Sequence, residues 1–304
     1  MQTTNRLLMV RPVCFAFNEE TATNNAFQQR TDTAGASLDI QRKAEEEFDA
    51  YVNLLRVNGV IVDVIQDTPQ PFTPDSIFPN NCFSTHTDKG GRVLVLYPMF
   101  APNRRKEREK LLAILGQMSF DRVIDLTYLE QRQQFLEGTG SMVFDRDNRV
   151  TFACISPRTH EEALKTWAEK LKYEYFAFES VDQKNVPIYH TNVMMHVGSH
   201  FAVVCLESIR DATQRHRLVQ LLEKCGKEVV EISYEQMHHF AGNMLEVKNG
   251  RNEKFLVMSA TARKSLTPRQ IQRLEQDVKI LAPDIHTIET AGGGSARCML
   301  AEIY

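Results

Sequence analysis

Apolar positions along the chain follow two spacings. Short β-branched runs read as strands, and stretches in which apolar residues recur every three to four positions read as amphipathic helices. The order strand, helix, strand recurs five times. In the first unit the strand Leu7 to Phe17 leads through a polar stretch to a helix near Ile40 to Val57 and then to the run Val60 to Ile65. The second unit pairs Val93 to Tyr97 with Arg122 to Leu126 through a helix over Arg105 to Met118. The third runs from Val150 to Ser156 through Glu161 to Leu171 to Tyr173 to Glu179, and the fourth from Phe201 to Leu206 through Ile209 to Cys225 to Glu228 to Ile232. The fifth begins at Phe255 to Ser259, its helix is predicted to start at Thr267-Pro268, an N-cap followed by proline at the first helical position, and Ile285 to Glu289 is predicted as its return strand.

Polar or glycine-rich turns suited to tight hairpins separate the units: Asp88 to Gly91, Asp145 to Arg149, Gly198 to His200 and Lys248 to Asn252. Each unit is therefore ββαβ, about 60 residues long, and unable to bury both faces of its sheet alone. Five such units predict an α/β five-bladed propeller closed into a ring. The plainer alternative is one doubly wound α/β sheet.

Composition narrows the classes. With 304 residues, 42% hydrophobic and 25% charged, the chain has enough apolar surface for one full enzyme core, read as a single catalytic domain over residues 1–304. Its 36 basic and 39 acidic residues are mixed along the sequence and leave a net charge of -3, so no basic field exists to attract nucleic acid. Met1 to Arg11 lacks the apolar core of a signal peptide, and no run approaches the roughly 18 apolar residues of a membrane span, which predicts a cytoplasmic protein with no membrane partner. Six cysteines lie far apart with no CxxC spacing, as expected of reduced thiols rather than a disulfide frame or zinc site.

Five segments that follow the return strands are the least periodic, and they concentrate small and polar residues: Phe72 to Asn81, Leu136 to Ser141, His190 to Asn192, Ala241 to Met244, and Gly292 to Met299. In a ring they would meet at a common centre, supplying acids, a histidine, amides and a thiol. Cys298 follows three glycines, which let backbone approach a ligand closely and leave a thiol accessible; alone, a cysteine near a C-terminus reads more often as a small buried hydrophobe. A His238-His239 pair invites a metal reading, but no carboxylate or thiol at ligand spacing accompanies it, so neither a metal nor an organic cofactor is expected.

The segments FPNNCFSTH, LEGTGS, HTN and GGGSARCM, in that order across nearly the whole chain, resemble those of the penteins, the superfamily of arginine deiminases, dimethylarginine hydrolases and amidinotransferases. Within it they most closely resemble the bacterial citrulline utilization hydrolases. The resemblance implies a pentein propeller in which Cys298 is the nucleophile, His190 the general acid and base, and Glu137 a carboxylate that accepts hydrogen bonds from a planar N–H group or from the histidine. It also implies Asp75 at the substrate α-amino group and Arg158 at its carboxylate, where a guanidinium fork suits bidentate binding. Arg11 and Arg297 are further substrate-binding candidates, while Asn18 and Asn243 are weaker ones.

Two departures bear on the substrate, an amino-acid small molecule. Asn81 and Asn192 stand where arginine deiminases resemble this sequence with aspartates. A guanidinium offers only donors and a charge, whereas a ureido group is neutral and adds a carbonyl acceptor, which an amide can match. The expectation is cleavage of the ureido carbon of citrulline, giving ornithine, ammonia and carbon dioxide through a covalent Cys298 intermediate. The alternatives are a guanidino substrate processed by the same residues, an amidinotransferase, or a non-enzymatic scaffold of the kind found in a ribosome anti-association factor with this fold. The polar stretch Glu20 to Thr31 is a candidate lid, and the sequence leaves a homo-oligomer open.

Overall fold

The computed structural model describes residues 1–30 and 36–304. β1 (Arg6–Arg11) and β2 (Ile61–Gln66) run parallel, joined through α1 (Ala36–Val57). β3 (Phe83–Asp88) and β4 (Gly91–Leu96) form a hairpin, and after α2 (Glu107–Leu115) the strand β5 (Arg122–Asp125) returns parallel to β4. The same path repeats in β6 (Val143–Asp145), β7 (Val150–Cys154), α3 (Glu161–Leu171) and β8 (Glu174–Phe178). It repeats again in β9 (Met195–Val197), β10 (Phe201–Val204), α4 (Ala212–Lys224) and β11 (Glu228–Glu231). The fifth pass is β12 (Leu245–Lys248), β13 (Lys254–Val257), α5 (Pro268–Leu274) and β14 (Lys279–Leu281). After α6 (His286–Gly292), β15 (Ala301–Glu302) pairs antiparallel with β1, Leu7 facing Glu302 and Leu8 facing Ala301.

Among the described residues the strands thus make five sheets of three, each with one antiparallel and one parallel pairing around its middle strand. The first strands of neighbouring sheets approach one another, β15 with β3, β6 with β9 and β9 with β12, as expected of blades arranged about an axis. This is the pentein ββαβ propeller. Middle strands are buried on both faces, as Val93, Leu94, Val95 and Leu96 are, because one face meets the blade's helix and the other its neighbour. No helix among the described residues is long and apolar enough to cross a membrane.

One predicted strand is corrected. Ile285 to Glu289 is not the fifth return strand; that role belongs to β14, and residues 286–289 open α6. Pro283 follows β14, and Ile285, Ile288 and Ala291 fall on one buried helical face packed toward α1. A seven-residue run carries both periodicities, so pattern alone could not separate them. The first strand also ends at Arg11 rather than Phe17, since Pro12 cannot donate to the ladder.

Five loops, residues 67–82, 126–142, 179–194, 232–244 and 282–300, each deliver the chain to a first strand and gather at one end of the ring. Their placement depends on packing between blades. Trp167, fully buried on α3, stacks on Phe144 at 5.2 Å between ring centres and donates its indole N–H to Tyr97 Oη at 2.9 Å, tying the second blade to the third. Trp167→Ala should lower unfolding stability by about 3–5 kcal/mol, since it removes a large buried ring and one of the two hydrogen bonds of the buried Tyr97 hydroxyl, which keeps Ser84 Oγ at 2.6 Å. Urea denaturation checks this, and a loss under about 1 kcal/mol would mean the interface relaxes around the cavity.

Candidate active site

Cys298 lies on the short turn Ala296–Met299, buried, its N–H donated to Ser295 O at 2.9 Å. Two side-chain amides reach its sulfur: Asn243 Nδ2 at 3.3 Å and Asn192 Nδ2 at 3.6 Å. Donors of this kind suit a sulfur that carries charge. Asn243 is itself held, its Oδ1 accepting Arg297 N–H at 3.0 Å while its Nδ2 also donates to Asn192 O at 3.0 Å.

His190 Nε2 lies 2.8 Å from Glu137 Oε2, and Arg158 Nη1 lies 3.5 Å from the same oxygen. Glu137 Oε1 accepts Phe100 N–H at 2.9 Å, so the carboxylate is gripped on both sides while fully buried. Burial pushes the Glu137 carboxyl up, but the Arg158 charge and the His190 hydrogen bond outweigh it and hold it at about 2. Burial is the largest influence on His190 too, and it lowers the imidazole to about 4 against the pull of Glu137. The pair is therefore an ionised carboxylate accepting Nε2–H from a neutral imidazole, with Nδ1 left as the basic nitrogen. Gly140 makes the close approach of the loops feasible: a Cβ there would stand 2.7 Å from His190 Nδ1 and 2.2 Å from Asn81 Nδ2.

Cys298, His190, Asp75, Asn81 and Arg158 line one cavity of about 20 Å³. That is room for about one water and too little for an amino acid. Asp75 is buried, with Oδ2 accepting from Asn18 Nδ2 at 2.8 Å and Thr21 Oγ1 at 3.0 Å, and with no protein partner on Oδ1. Burial raises its pKa, opposed mainly by Arg104. Asn81 Oδ1 accepts from Arg104 Nη1 at 2.8 Å, and its Nδ2 donates to Glu137 O at 3.3 Å. The second bond gives Asn81 a structural reason to be an amide, because an aspartate oxygen would face that carbonyl.

Of the candidate lid, Asn25 lines this cavity, and Thr21 and Asn24 bond to its wall residues Asp75 and Arg158; Thr31 lies outside the described residues. Arg158, the proposed carboxylate fork, donates from Nε at 2.8 Å and from Nη2 to Asn24 Oδ1, and from Nη2 to Thr21 O at 2.8 Å. Phe27 packs against Tyr189 and Phe240.

Two substrate-binding expectations are corrected. Arg11 does not line the cavity; its guanidinium is committed to Asp49 at 2.8 Å and Glu45 at 3.0 Å on α1. Arg297 also points away, donating to Leu300 O at 2.7 Å and Glu302 at 2.8 Å beside a separate cavity of about 30 Å³ on the ring axis. The acids of Arg11 lie more than 30 residues away on α1, whereas that of Arg297 lies five residues on, in β15, and faces it only because the chain turns back into the first blade.

Arg104 was missed. It is buried, lines the cavity, holds Asn81, donates to Phe78 O at 2.9 Å and pairs with Glu107 at 2.9 Å. In sequence it opens the run Arg104-Arg105-Lys106-Glu107-Arg108, which reads as a solvated helix face, and its i,i+3 acid is the pairing a surface helix also uses. Asn243, rated below the other site residues, makes the shorter contact to sulfur.

The family model described as N,N dimethylarginine dimethylhydrolase, eukaryotic, matches residues 11–304. An uncharacterized protein of Aeropyrum pernix is 26% identical over 211 residues, covering 69% of this chain and 68% of its own. Among solved structures, ArgZ, an arginine dihydrolase from the ornithine-ammonia cycle in cyanobacteria, matches with a TM-score of 0.75 at 19% identity over 97% of this chain. The chain spans 40% of the length of that protein, and 98% of its N-terminal domain, solved with substrate, matches with a TM-score of 0.74 at 19% identity. A dimethylarginine dimethylaminohydrolase adduct matches over the full length of both chains with a TM-score of 0.66 at 16% identity. At these identities the likeness to solved structures is one of fold.

The electrostatics make a checkable statement about His190. Its value sits below the ordinary 6.5, so the imidazole should stay neutral as pH falls through 6 and 5 and protonate near 4 in an NMR titration. Glu137 raises that value, so Glu137→Gln should move the titration lower still. Protonation near 6.5, unmoved by Glu137→Gln, would mean the pair is neither dry nor coupled.

Proposed function

The chain belongs to the N,N-dimethylarginine dimethylhydrolase family, and from that premise we propose a cysteine-dependent hydrolase acting on the ureido carbon of citrulline or a close derivative. The observation that carries this reading is the neutral environment of the sulfur: the side chains hydrogen-bonded to Cys298 Sγ are the amides of Asn192 and Asn243, rather than carboxylates that would neutralise a guanidinium.

In the proposed mechanism the Cys298 thiol gives its proton to neutral His190 and attacks the ureido carbon, forming an S–C bond. Negative charge gathers on the ureido oxygen, where amide N–H donors can stabilise it. The imidazolium then returns the proton to a leaving nitrogen as the C–N bond breaks, with Glu137 holding the ring through Nε2–H. The product on sulfur is a thiocarbamate. Water, deprotonated by the same imidazole, attacks it and expels the thiolate; the resulting carbamic acid splits into an amine and carbon dioxide. The balance is citrulline plus water to ornithine, ammonia and carbon dioxide. Asp75 and Arg158 serve as the anchors for the α-amino and carboxylate groups, which requires Asn24 and Thr21 to yield the Arg158 fork to the substrate.

One observation favours a second reading. The unpartnered Oδ1 of Asp75 is a buried acceptor on the cavity wall, and it could pair a cationic guanidino group as in an arginine substrate. The same catalytic residues would then release ammonia from arginine.

Ammonia release from citrulline, arginine and their N-acetyl forms, with identification of the amino-acid product, separates the readings. Conversion of citrulline to ornithine, reduced at least about a thousandfold by Cys298→Ala, is the expected result. Cysteine-dependent conversion of arginine alone would keep the mechanism and overturn the substrate.

A further inference from the structure

The nucleophile is presented by a loop with little shape of its own. Gly292, Gly293 and Gly294 all line the cavity, and glycine backbone is ordered only by what binds it. No side chain can replace that freedom at Gly294, where a Cβ would stand 2.7 Å from the Phe78 ring. The loop must be fixed from outside.

Glu289, buried in α6, grips it twice. Its backbone carbonyl accepts Gly293 N–H at 2.9 Å, and its side-chain Oε1 accepts the Ser295 hydroxyl at 2.6 Å. Ser295 in turn accepts Cys298 N–H on its carbonyl at 2.9 Å. A continuous path of hydrogen bonds therefore runs from the Glu289 carboxyl to the backbone of the nucleophile. We infer that Glu289 is a positioning residue that sets the orientation of the Cys298 thiol through Ser295. The inference rests on the proposed role of Cys298.

Burial pushes the Glu289 pKa up, opposed by the hydroxyls of Ser259, Ser295 and Thr261 and, less, by His286. Glutamine has the same length and keeps an acceptor oxygen, so it can replace glutamate; alanine cannot.

The test uses the full chain carrying Glu289→Gln, Glu289→Ala, Ser295→Ala or Cys298→Ala, with kcat and KM on citrulline and the rate of Cys298 alkylation by iodoacetamide, which needs no substrate. Glu289→Ala and Ser295→Ala should each lower kcat by about ten- to hundredfold with KM little changed, and slow alkylation in parallel, as a misplaced reacting group does. Glu289→Gln should retain kcat within about threefold of the parent. If Glu289→Ala and Ser295→Ala lower only the melting temperature and leave kcat and alkylation at the parent values, the residue is merely structural and the inference is overturned. An inactive Cys298→Ala beside a fully active Glu289→Ala overturns the positioning role alone, whereas an active Cys298→Ala overturns the nucleophile itself.

Discussion

Ring closure is the constraint on which the site depends. The two residues of β15 complete the first blade against β1, and Cys298 stands only three positions before them. The closure is held by more than the ladder. Ile303 N–H donates to Arg6 O at 3.0 Å, Thr4 Oγ1 donates to Ile303 O at 2.6 Å, and Thr85 Oγ1 donates to Glu302 O at 2.9 Å. The Glu302 carboxylate, buried, receives Arg297 and Arg146 from inside the ring. A blade of three short strands cannot cover its own sheet, so the five must complete one another, and the strand that closes the ring follows directly on the loop that carries the thiol.

Given closure, the chemistry of the site follows from burial. A carboxylate and an imidazole in a dry place would each lose their charged forms; instead Arg158 keeps Glu137 ionised, and Glu137 orients a neutral His190. The loop that carries His190 also gives the sulfur the Asn192 amide, and a further loop gives it Asn243, so the thiol and its surroundings are assembled from three of the repeats. That separation is why one fold can change substrate by exchanging single residues at equivalent positions while keeping its core.

Much of this was legible from the chain. The repeat showed in alternating periodicities, the hairpins in turns such as Asp88 to Gly91, and the loops of Glu137, His190 and Cys298 as aperiodic stretches between strands, while the roles expected of those three residues came from the resemblance of LEGTGS, HTN and GGGSARCM to the penteins. What was not legible depended on partners that local pattern does not pair. Arg104 reads as one more charge on a helix until Asn81 and Phe78 are seen to surround it. Arg11 and Arg297 look available until Asp49 and Glu302 are placed beside them. Residues 285–289 carry strand-like β-branching, and only their packing against α1 makes them helix. Local pattern specifies elements; the partner of a buried charge is a property of the closed ring.

The most direct test of the account is to follow the ureido carbon itself. Incubation with citrulline labelled with carbon-13 at the ureido position, quenched in acid during turnover and digested for mass spectrometry, should place the label on the peptide containing Cys298 and nowhere else. Turnover with no label on that peptide, or with the label on another residue, would contradict covalent catalysis by Cys298.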